Sequence, residues 1–141
     1  MYSIDIECLK EPRDITQFLK ENKDDTYRDF TSSLIPSISK DHIIGVRTPV
    51  IRALAKSIKG TSVALGFLNN PEHYYLEEKH LHGFLIEYEK DFEKALCLLR
   101  EFLPHIDNWA TCDCVRPKIF KTEPDTLYEQ IKLCLQSDHT Y

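Results

Sequence analysis

The 141-residue sequence predicts an all-α protein in which antiparallel helix pairs stack into an α-solenoid. Apolar residues recur at intervals of three and four residues along almost the whole chain, as they do on one face of a helix. Only four glycines are present, which are too few for the many tight turns of an all-β fold. Short turns that contain proline or asparagine separate the helical segments. A compact helical bundle is the alternative architecture.

The size and composition predict one domain that spans residues 1–141. Hydrophobic residues make up 42% of the chain and aromatic residues 11%, which is enough to build a sizeable core. No segment approaches the roughly 20 apolar residues that cross a membrane. The N-terminus lacks the basic and apolar regions of a secretory signal. We therefore expect a cytoplasmic protein.

Two helices are predicted before the first proline-containing turn. The first contains residues 14–20 and ends in the polar run 21–25. The second covers residues 26–35 and stops at Pro36, since a proline cannot continue the hydrogen-bonded ladder of a helix. One face of this second helix carries Tyr27, Phe30 and Leu34.

The third helix is predicted to begin at Thr48-Pro49. Threonine is a favoured N-cap, and proline suits the first helical position, where its missing N–H is not needed. Gly60 is a plausible terminator. The apolar face contains Val50, Ile51, Leu54, Ala55 and Ile58. A second face carries three cations at helical spacing, Arg52, Lys56 and Lys59.

Five further helices follow. They are predicted over residues 62–68, 71–88, 91–103 and 108–116, and from Pro124 onward. Proline or asparagine lies at each of the boundaries between them, except the one near residue 90. Within the second of the five, Tyr74, Tyr75 and the charged run 77–79 suggest an exposed helix surface with aromatic anchors.

The charges are unevenly distributed along this acidic chain. The formal net charge is −5, from 18 basic and 23 acidic residues. Residues 42–71 nevertheless contain no acid but four Arg or Lys residues, and residues 114–122 contain three such cations and no acid. The intervening segment 72–107 holds nine acidic residues. Because salt screens charges beyond about 10 Å, the two basic segments could still bind a polyanion locally.

The cysteines and histidines predict neither a disulfide framework nor a metal site. The five cysteines are odd in number and widely spaced, which indicates buried or idle thiols in a reducing compartment. Cys112-x-Cys114 lacks the second ligand pair that zinc needs. His80 and His82 diverge on a helix and cannot chelate from one face. We expect no metal and no cofactor.

The segment from Gly45 to Arg52 has the character of an anion site. A glycine before a proline-started helix places backbone N–H groups and Arg47 at the positive end of the helix dipole. The cations that follow on the same helix extend the positive surface. The alternative is a capped helix with a solvated basic face, which is the commoner meaning of such a charge run.

The segment 106–117 contains the single tryptophan of the chain. Trp109 and Asp113 are four residues apart, so on a helix they share one face, and Arg116 lies on the same side. An aromatic ring beside a carboxylate suits a cationic or base-like ligand. The alternative is structural: Trp109 anchors the core, and Asp113 pairs with Arg116.

Three segments resemble the AlkD-type DNA alkylation repair proteins. Residues 42–56 resemble the family's GVRTP-x-x-R-x-LAK segment, residues 74–83 its E-E…G helix, and residues 107–113 its NW-x-x-x-D segment. The resemblance implies stacked HEAT-like helical repeats and a concave basic surface that holds duplex DNA. It also implies a glycosylase that releases N3- and N7-alkylated purines without a cofactor.

The resemblance also assigns roles to residues of this sequence. Trp109 would pack against the deoxyribose and the lesion, and Asp113 would stabilise the cationic sugar or position the attacking water. An alkylated purine is already a good leaving group, so no general acid is required. The expected DNA contacts are Arg47, Thr48, Arg52, Lys56, Lys59, Arg116 and Lys118.

Family members are longer than this chain, so residues 1–141 would form the N-terminal part of the family fold. An uncapped C-terminal end would then favour self-association. Two other functions are kept open. One is a non-catalytic HEAT-like module that binds a DNA structure or a protein. The other is a protein-interaction solenoid that uses its acidic segment, residues 72–107.

Overall fold

The computed structural model describes residues 4–139, and the regular structure of this part of the chain is all helical, without a strand. The all-α prediction is therefore confirmed. The eight helices are α1 (Pro12–Glu21), α2 (Asp25–Leu34), α3 (Thr48–Ile58), α4 (Ser62–Leu68), α5 (Leu76–Glu87), α6 (Phe92–Phe102), α7 (Trp109–Cys114) and α8 (Pro124–Cys134). Short 3-10 turns lie at Ile6–Cys8, Lys40–His42, Leu103–His105 and Lys118–Thr122.

The predicted helices agree with the structure except at the start of α5. This helix begins at Leu76 rather than near residue 71, because Tyr75 is extended and serves as its N-cap. The side chain of Glu78 accepts the backbone N–H of Tyr75 at 3.0 Å, which fixes the first turn. His73 stacks on Phe67 of α4, with ring centroids 4.4 Å apart, and this contact holds the preceding segment away from the helix axis.

Three of the helices pack side by side in a row, with α5 between α3 and α7. We call them the α3–α5–α7 layer. The helix α5 also packs against α4 and α6, and α1 packs against α4. Gly83 lies where α5 meets α7: a Cβ at this position would lie 3.2 Å from Cγ2 of Val115. The absent side chain therefore sets how closely these two helices approach.

The largest core cluster lies between α1, α3, α4 and α5. Every residue of the apolar face predicted for α3 is buried there, so this prediction is confirmed. The helix α8 differs, because none of its residues is buried. Its exposed apolar residues are Tyr128, Ile131 and Leu133.

The prediction of an exposed surface at residues 77–79 is wrong. Glu77, Glu78 and Lys79 are only 2%, 8% and 8% exposed. Each buried charge has a partner far away in the sequence, which is the condition under which charges are tolerated inside proteins. Glu78 accepts the hydroxyl of Thr16 at 2.8 Å, and the ammonium of Lys79 lies 2.8 Å from the carboxylate of Asp107.

The cysteines were expected to be buried or idle, and burial is wrong for four of the five. They form no disulfide within residues 4–139, but Cys8, Cys97, Cys112 and Cys134 are exposed rather than buried, and Cys114 is half-buried. No helix in this part of the chain has the length and apolar character needed to cross a bilayer.

Candidate nucleic-acid interface

The turn before α3 is held against the start of α2. The carbonyl oxygen of Gly45 accepts the N–H of Asp24 at 2.8 Å. Gly45 has φ +95°, and a Cβ there would lie 2.6 Å from the carbonyl oxygen of Asp24 and 2.6 Å from Cβ of Arg28. Only glycine satisfies both the positive φ and this close approach.

A buried carboxylate fixes the same turn from the other side. Glu77 of α5 accepts the N–H of Ile44 at 3.0 Å, that of Gly45 at 2.8 Å and that of Val46 at 3.4 Å. Burial raises the pKa of Glu77, and these backbone donors oppose the rise. The orientation of the α3 N-terminus therefore depends on a residue that the sequence analysis assigned to the surface.

Arg47 is the N-cap residue of α3, in place of the predicted Thr48, which is the first helical residue. The Arg47 guanidinium contacts Oδ2 of Asp24 through Nε at 3.1 Å and Nη2 at 2.9 Å. It also lies 5.0 Å from the ring centroid of Tyr27. Its side chain is still 56% exposed, so a phosphate could approach it. The pKa of Asp24 is lowered, first by the N–H of Tyr27 and then by Arg47.

The three cations of α3 differ in their surroundings. Arg52 lies over the ring of Phe84, 4.2 Å from its centroid, and 3.3 Å from Oε2 of Glu87. Lys59 lies 4.5 Å from the ring centroid of Tyr88. Lys56 is exposed, and no ion pair involves it within residues 4–139. Two of the three cations therefore also contribute to the contact between α3 and α5.

The start of α7 is rigidly capped. Oδ1 of Asn108 accepts the N–H of Thr111 at 2.8 Å, and Nδ2 of Asn108 donates to Oγ1 of Thr111 at 2.9 Å. Both residues are fully buried. Because Trp109 follows the cap directly, the cap fixes where its side chain emerges.

Trp109 is not a core anchor, since 49% of it is exposed. Its indole Nε1 donates to the carbonyl oxygen of Leu34, the last residue of α2, at 3.2 Å. This hydrogen bond satisfies a carbonyl that the end of a helix leaves open and orients the indole ring.

Asp113 lies one turn after Trp109 and is exposed. Arg116 donates through Nε to the backbone oxygen of Asp113 at 2.9 Å, not to its carboxylate. Within residues 4–139 the Asp113 carboxylate has no ion pair. The structural alternative, in which Asp113 is locked to Arg116, is therefore wrong.

Cys114, the last residue of α7, is half-buried. Burial is the main cause that raises the pKa of this thiol to about 11, and the charges of Arg52, Asp113, Arg116 and Glu87 modify it. Lys118 is exposed in the turn after α7. It lines, with Arg116, a largely apolar cleft of about 490 Å³.

Comparison with known protein families identifies the family of this chain. The family model described as DNA alkylation repair enzyme matches residues 14–139. The chain belongs to the DNA alkylation repair enzyme family. Neither the curated proteins nor the solved structures that were compared with the chain give a match.

The matched range of this repair-family chain begins two residues into α1 and includes the other seven helices, and with them both segments of the interface, at α3 and at α7. Within residues 4–139 no group of three His, Cys, Asp or Glu residues could hold a metal ion. Two members of the site were missed from sequence: Glu77, which shapes the α3 N-terminus, and Leu34, whose backbone oxygen holds Trp109. Neither contact carries a sequence signal, since the partners are 32 and 75 residues apart.

Proposed function

We propose that this repair-family protein binds duplex DNA across the α3–α5–α7 layer and hydrolyses the N-glycosidic bond of N3- or N7-alkylated purines. The observation that carries the proposal is the pair Trp109 and Asp113, which share one exposed face of α7, and the Asp113 carboxylate has no ion pair within the described residues. An accessible carboxylate without a cation partner retains its full charge for a positive ligand.

The chemistry follows from the leaving group. Alkylation at N3 or N7 makes the purine cationic, so the bond from C1′ to the purine nitrogen breaks with its electron pair moving to the base. Positive charge develops on the sugar, where the Asp113 carboxylate lowers the barrier. A water oxygen then bonds to C1′, and the released proton passes to Asp113 or to solvent. Trp109 packs against the sugar and limits its motion.

The phosphate contacts are assigned to the residues expected from sequence. Lys56 and Lys118 are exposed and have no carboxylate partner within the described residues, so they bind phosphate without breaking an ion pair. Arg47 and Arg52 would each give up an ion pair, with Asp24 and Glu87 respectively, to bind a phosphate. Thr48, Lys59 and Arg116 complete the set. We place the protein in the cytoplasm, with alkylated duplex DNA as its partner.

Asp113→Asn is expected to slow purine release by about 100-fold or more, since it removes one preorganised charge and keeps the side-chain shape. Single-turnover release of 7-methylguanine from a methylated duplex measures the chemical step. Asp125→Asn, an exposed change in the first turn of α8, is the matched control and should retain the wild-type rate. Equal rates for Asp113→Asn and wild type would remove Asp113 from the mechanism. Duplex binding without any purine release by the wild type would favour the non-catalytic module.

Lys56→Ala is expected to weaken duplex binding and to reduce the slope of log K against log salt by about one, because one phosphate contact releases about 0.9 counterions. Fluorescence anisotropy with a labelled duplex between 50 and 200 mM salt, about the range over which such contacts are resolved, measures the slope. Lys94→Ala on the exposed side of α6 is the control. An unchanged slope for Lys56→Ala would exclude this lysine from the interface.

A further inference from the structure

The proposed chemistry leaves one exposed apolar surface of the interface without a role. Tyr27, Phe30 and Leu34 share one face of α2, and we call them the apolar strip of α2. Phe30 is 58% exposed and Leu34 is 48% exposed, whereas the apolar face of α3 is buried. Apolar side chains of this size that lie together in solvent usually mark a binding surface.

The apolar strip joins the two polar ends of the interface. At its first end the guanidinium of Arg47 lies over the ring of Tyr27, 5.0 Å from the centroid. At its other end the indole of Trp109 is hydrogen-bonded to the backbone oxygen of Leu34. A cation, three apolar side chains and an exposed aromatic ring therefore follow one another along α2.

We infer that the apolar strip of α2 and Trp109 form a stacking surface for a short run of unpaired bases in a DNA strand whose phosphate is bound by Arg47. The inference rests on the proposed function in taking DNA as the ligand. It adds a substrate class, namely duplexes that contain a few unpaired nucleotides. Cationic grooves with aromatic side chains bind unpaired strands in this way, because every base has a face that can stack.

The dimensions of the strip fit a few nucleotides. Tyr27 and Leu34 are seven residues apart, which corresponds to about 10 Å along a helix that rises about 1.5 Å per residue. Stacked bases repeat every 3.4 Å or so along a strand, so the strip spans about three base steps. A phosphate on Arg47 would place the last of these bases beside Trp109.

The guanidinium that lies over Tyr27 is the group beside the strip that favours a nucleic acid as the ligand. The Nε and Nη2 edge of Arg47 contacts Oδ2 of Asp24, so a phosphate would take the place of this carboxylate in a two-point contact. Arg28, also on α2, donates to the backbone oxygens of Ile43 at 2.7 Å and Lys40 at 2.9 Å, so its hydrogen bonds neutralise no carboxylate. The exposed carboxylates of α2, Asp25 and Asp29, are paired with Lys23 and Lys40, and the exposed Thr26 and Ser33 are uncharged.

The lone tryptophan makes a direct test possible. Trp109 emission reports on this surface alone, because the chain contains one tryptophan. The full chain is titrated with a continuous duplex and with the same duplex carrying a three-nucleotide gap in one strand. The variants are Phe30→Ala, Leu34→Ala and their combination. Leu34→Ala keeps the backbone oxygen that holds the indole, so a loss of binding reports on the side chain itself.

The gapped duplex is expected to quench Trp109 more strongly than the continuous one. The combined variant should lose about tenfold in affinity for the gapped duplex and less than about twofold for the continuous duplex, since aromatic stacking on a base contributes roughly a tenfold factor. Tyr128→Ala, which truncates a comparably exposed aromatic residue on α8, should behave as the wild type. Circular dichroism establishes that each variant is folded.

Three results would overturn the inference. One is an equal loss on both duplexes, which would make the strip a general duplex contact. Another is unchanged binding of both duplexes by the combined variant, which would not affect the proposal that Asp113 promotes purine release. The third is a wild type that binds neither duplex but self-associates through Phe30, which would make the strip an interface between two copies and remove the proposed function as well.

Discussion

Glu77→Leu is expected to lower the free energy of unfolding by about 3–5 kcal/mol. This is the largest loss of stability that we expect from replacing any one charged residue. The substitution leaves the N–H groups of Ile44, Gly45 and Val46 without their acceptor in a buried position. Each buried donor without a partner costs about 1–3 kcal/mol. Urea unfolding followed by far-UV circular dichroism measures the change.

Glu77→Gln separates the hydrogen bonds from the shape of the side chain. Gly45 and Val46 both donate to Oε1, whereas Ile44 donates to Oε2. The oxygen of a glutamine amide can still accept the N–H groups of Gly45 and Val46, but its NH2 group would face the N–H of Ile44 and cannot accept it. We therefore expect the free energy of unfolding to fall by an intermediate amount, about 1–2 kcal/mol. Glu93→Gln on the exposed side of α6 is the control. A Glu77→Leu protein within about 1 kcal/mol of wild type would show that the turn is held by other contacts.

Acidification between pH 6.5 and 4 is expected to destabilise the fold steeply. Burial lowers the pKa of His73 to about 4, of His80 to about 4 and of His82 to about 3. Above the unfolded-state pKa of about 6.5 these groups are neutral in both states. As the pH falls, the unfolded chain takes up protons that the folded chain excludes, so stability falls by up to about 1.4 kcal/mol per pH unit for each histidine.

Other titratable groups change the stability outside the range from pH 6.5 to 4, or in the opposite direction within it. The carboxyl groups of Asp14, Asp24, Asp29 and Asp107 have lowered pKa values, so their contribution is lost mainly below pH 4 or so. The raised pKa of Glu77 acts in the opposite direction, because the folded state takes up its proton first. The net slope should therefore lie below the sum for three histidines.

His82→Phe tests the origin of the slope. His82 stacks on Phe102 at 4.3 Å between ring centroids and lies near Phe67, so a phenyl ring suits the apolar surroundings. Within residues 4–139 Nε2 of His82 has no hydrogen-bond partner to lose, but the substitution removes the hydrogen bond between Nδ1 of His82 and Nε2 of His73. The dependence of stability on pH between 4 and 6.5 should become shallower by up to about 1.4 kcal/mol per pH unit. An identical slope in the variant and the wild type would contradict the assignment to this cluster.

The sequence predicted those elements that are determined by local chemistry. Pro49 at the start of α3 and the Asn108 cap of α7 can be recognised within a few residues of the chain, and both helices form where expected. The pairing of Trp109 with Asp113 on one face also follows from helical spacing alone. Membership of the repair family was predicted from motifs that lie within single segments, and it is confirmed.

The missed features depend on partners that are distant in the sequence. The charged run 77–79 reads as a surface because its partners, the turn at residues 44–46, Thr16 and Asp107, lie 28 to 62 residues away. The exposure of Phe30 and Leu34 could not be inferred either, since an apolar helix face ordinarily predicts burial. Both errors have the same cause: a periodic pattern identifies a face of a helix but not what lies against it.

Gly83 has a consequence for how the geometry of the proposed interface is encoded. It has no side chain and touches no ligand, yet it fixes the separation of α5 and α7 through its contact with Val115 and Cys114. The distance between α5 and α7, and with it the distance from the cations of α3 to Asp113, therefore depends on the absence of a methyl group. We expect Gly83→Ala to widen this spacing while every charged residue of the interface stays in place.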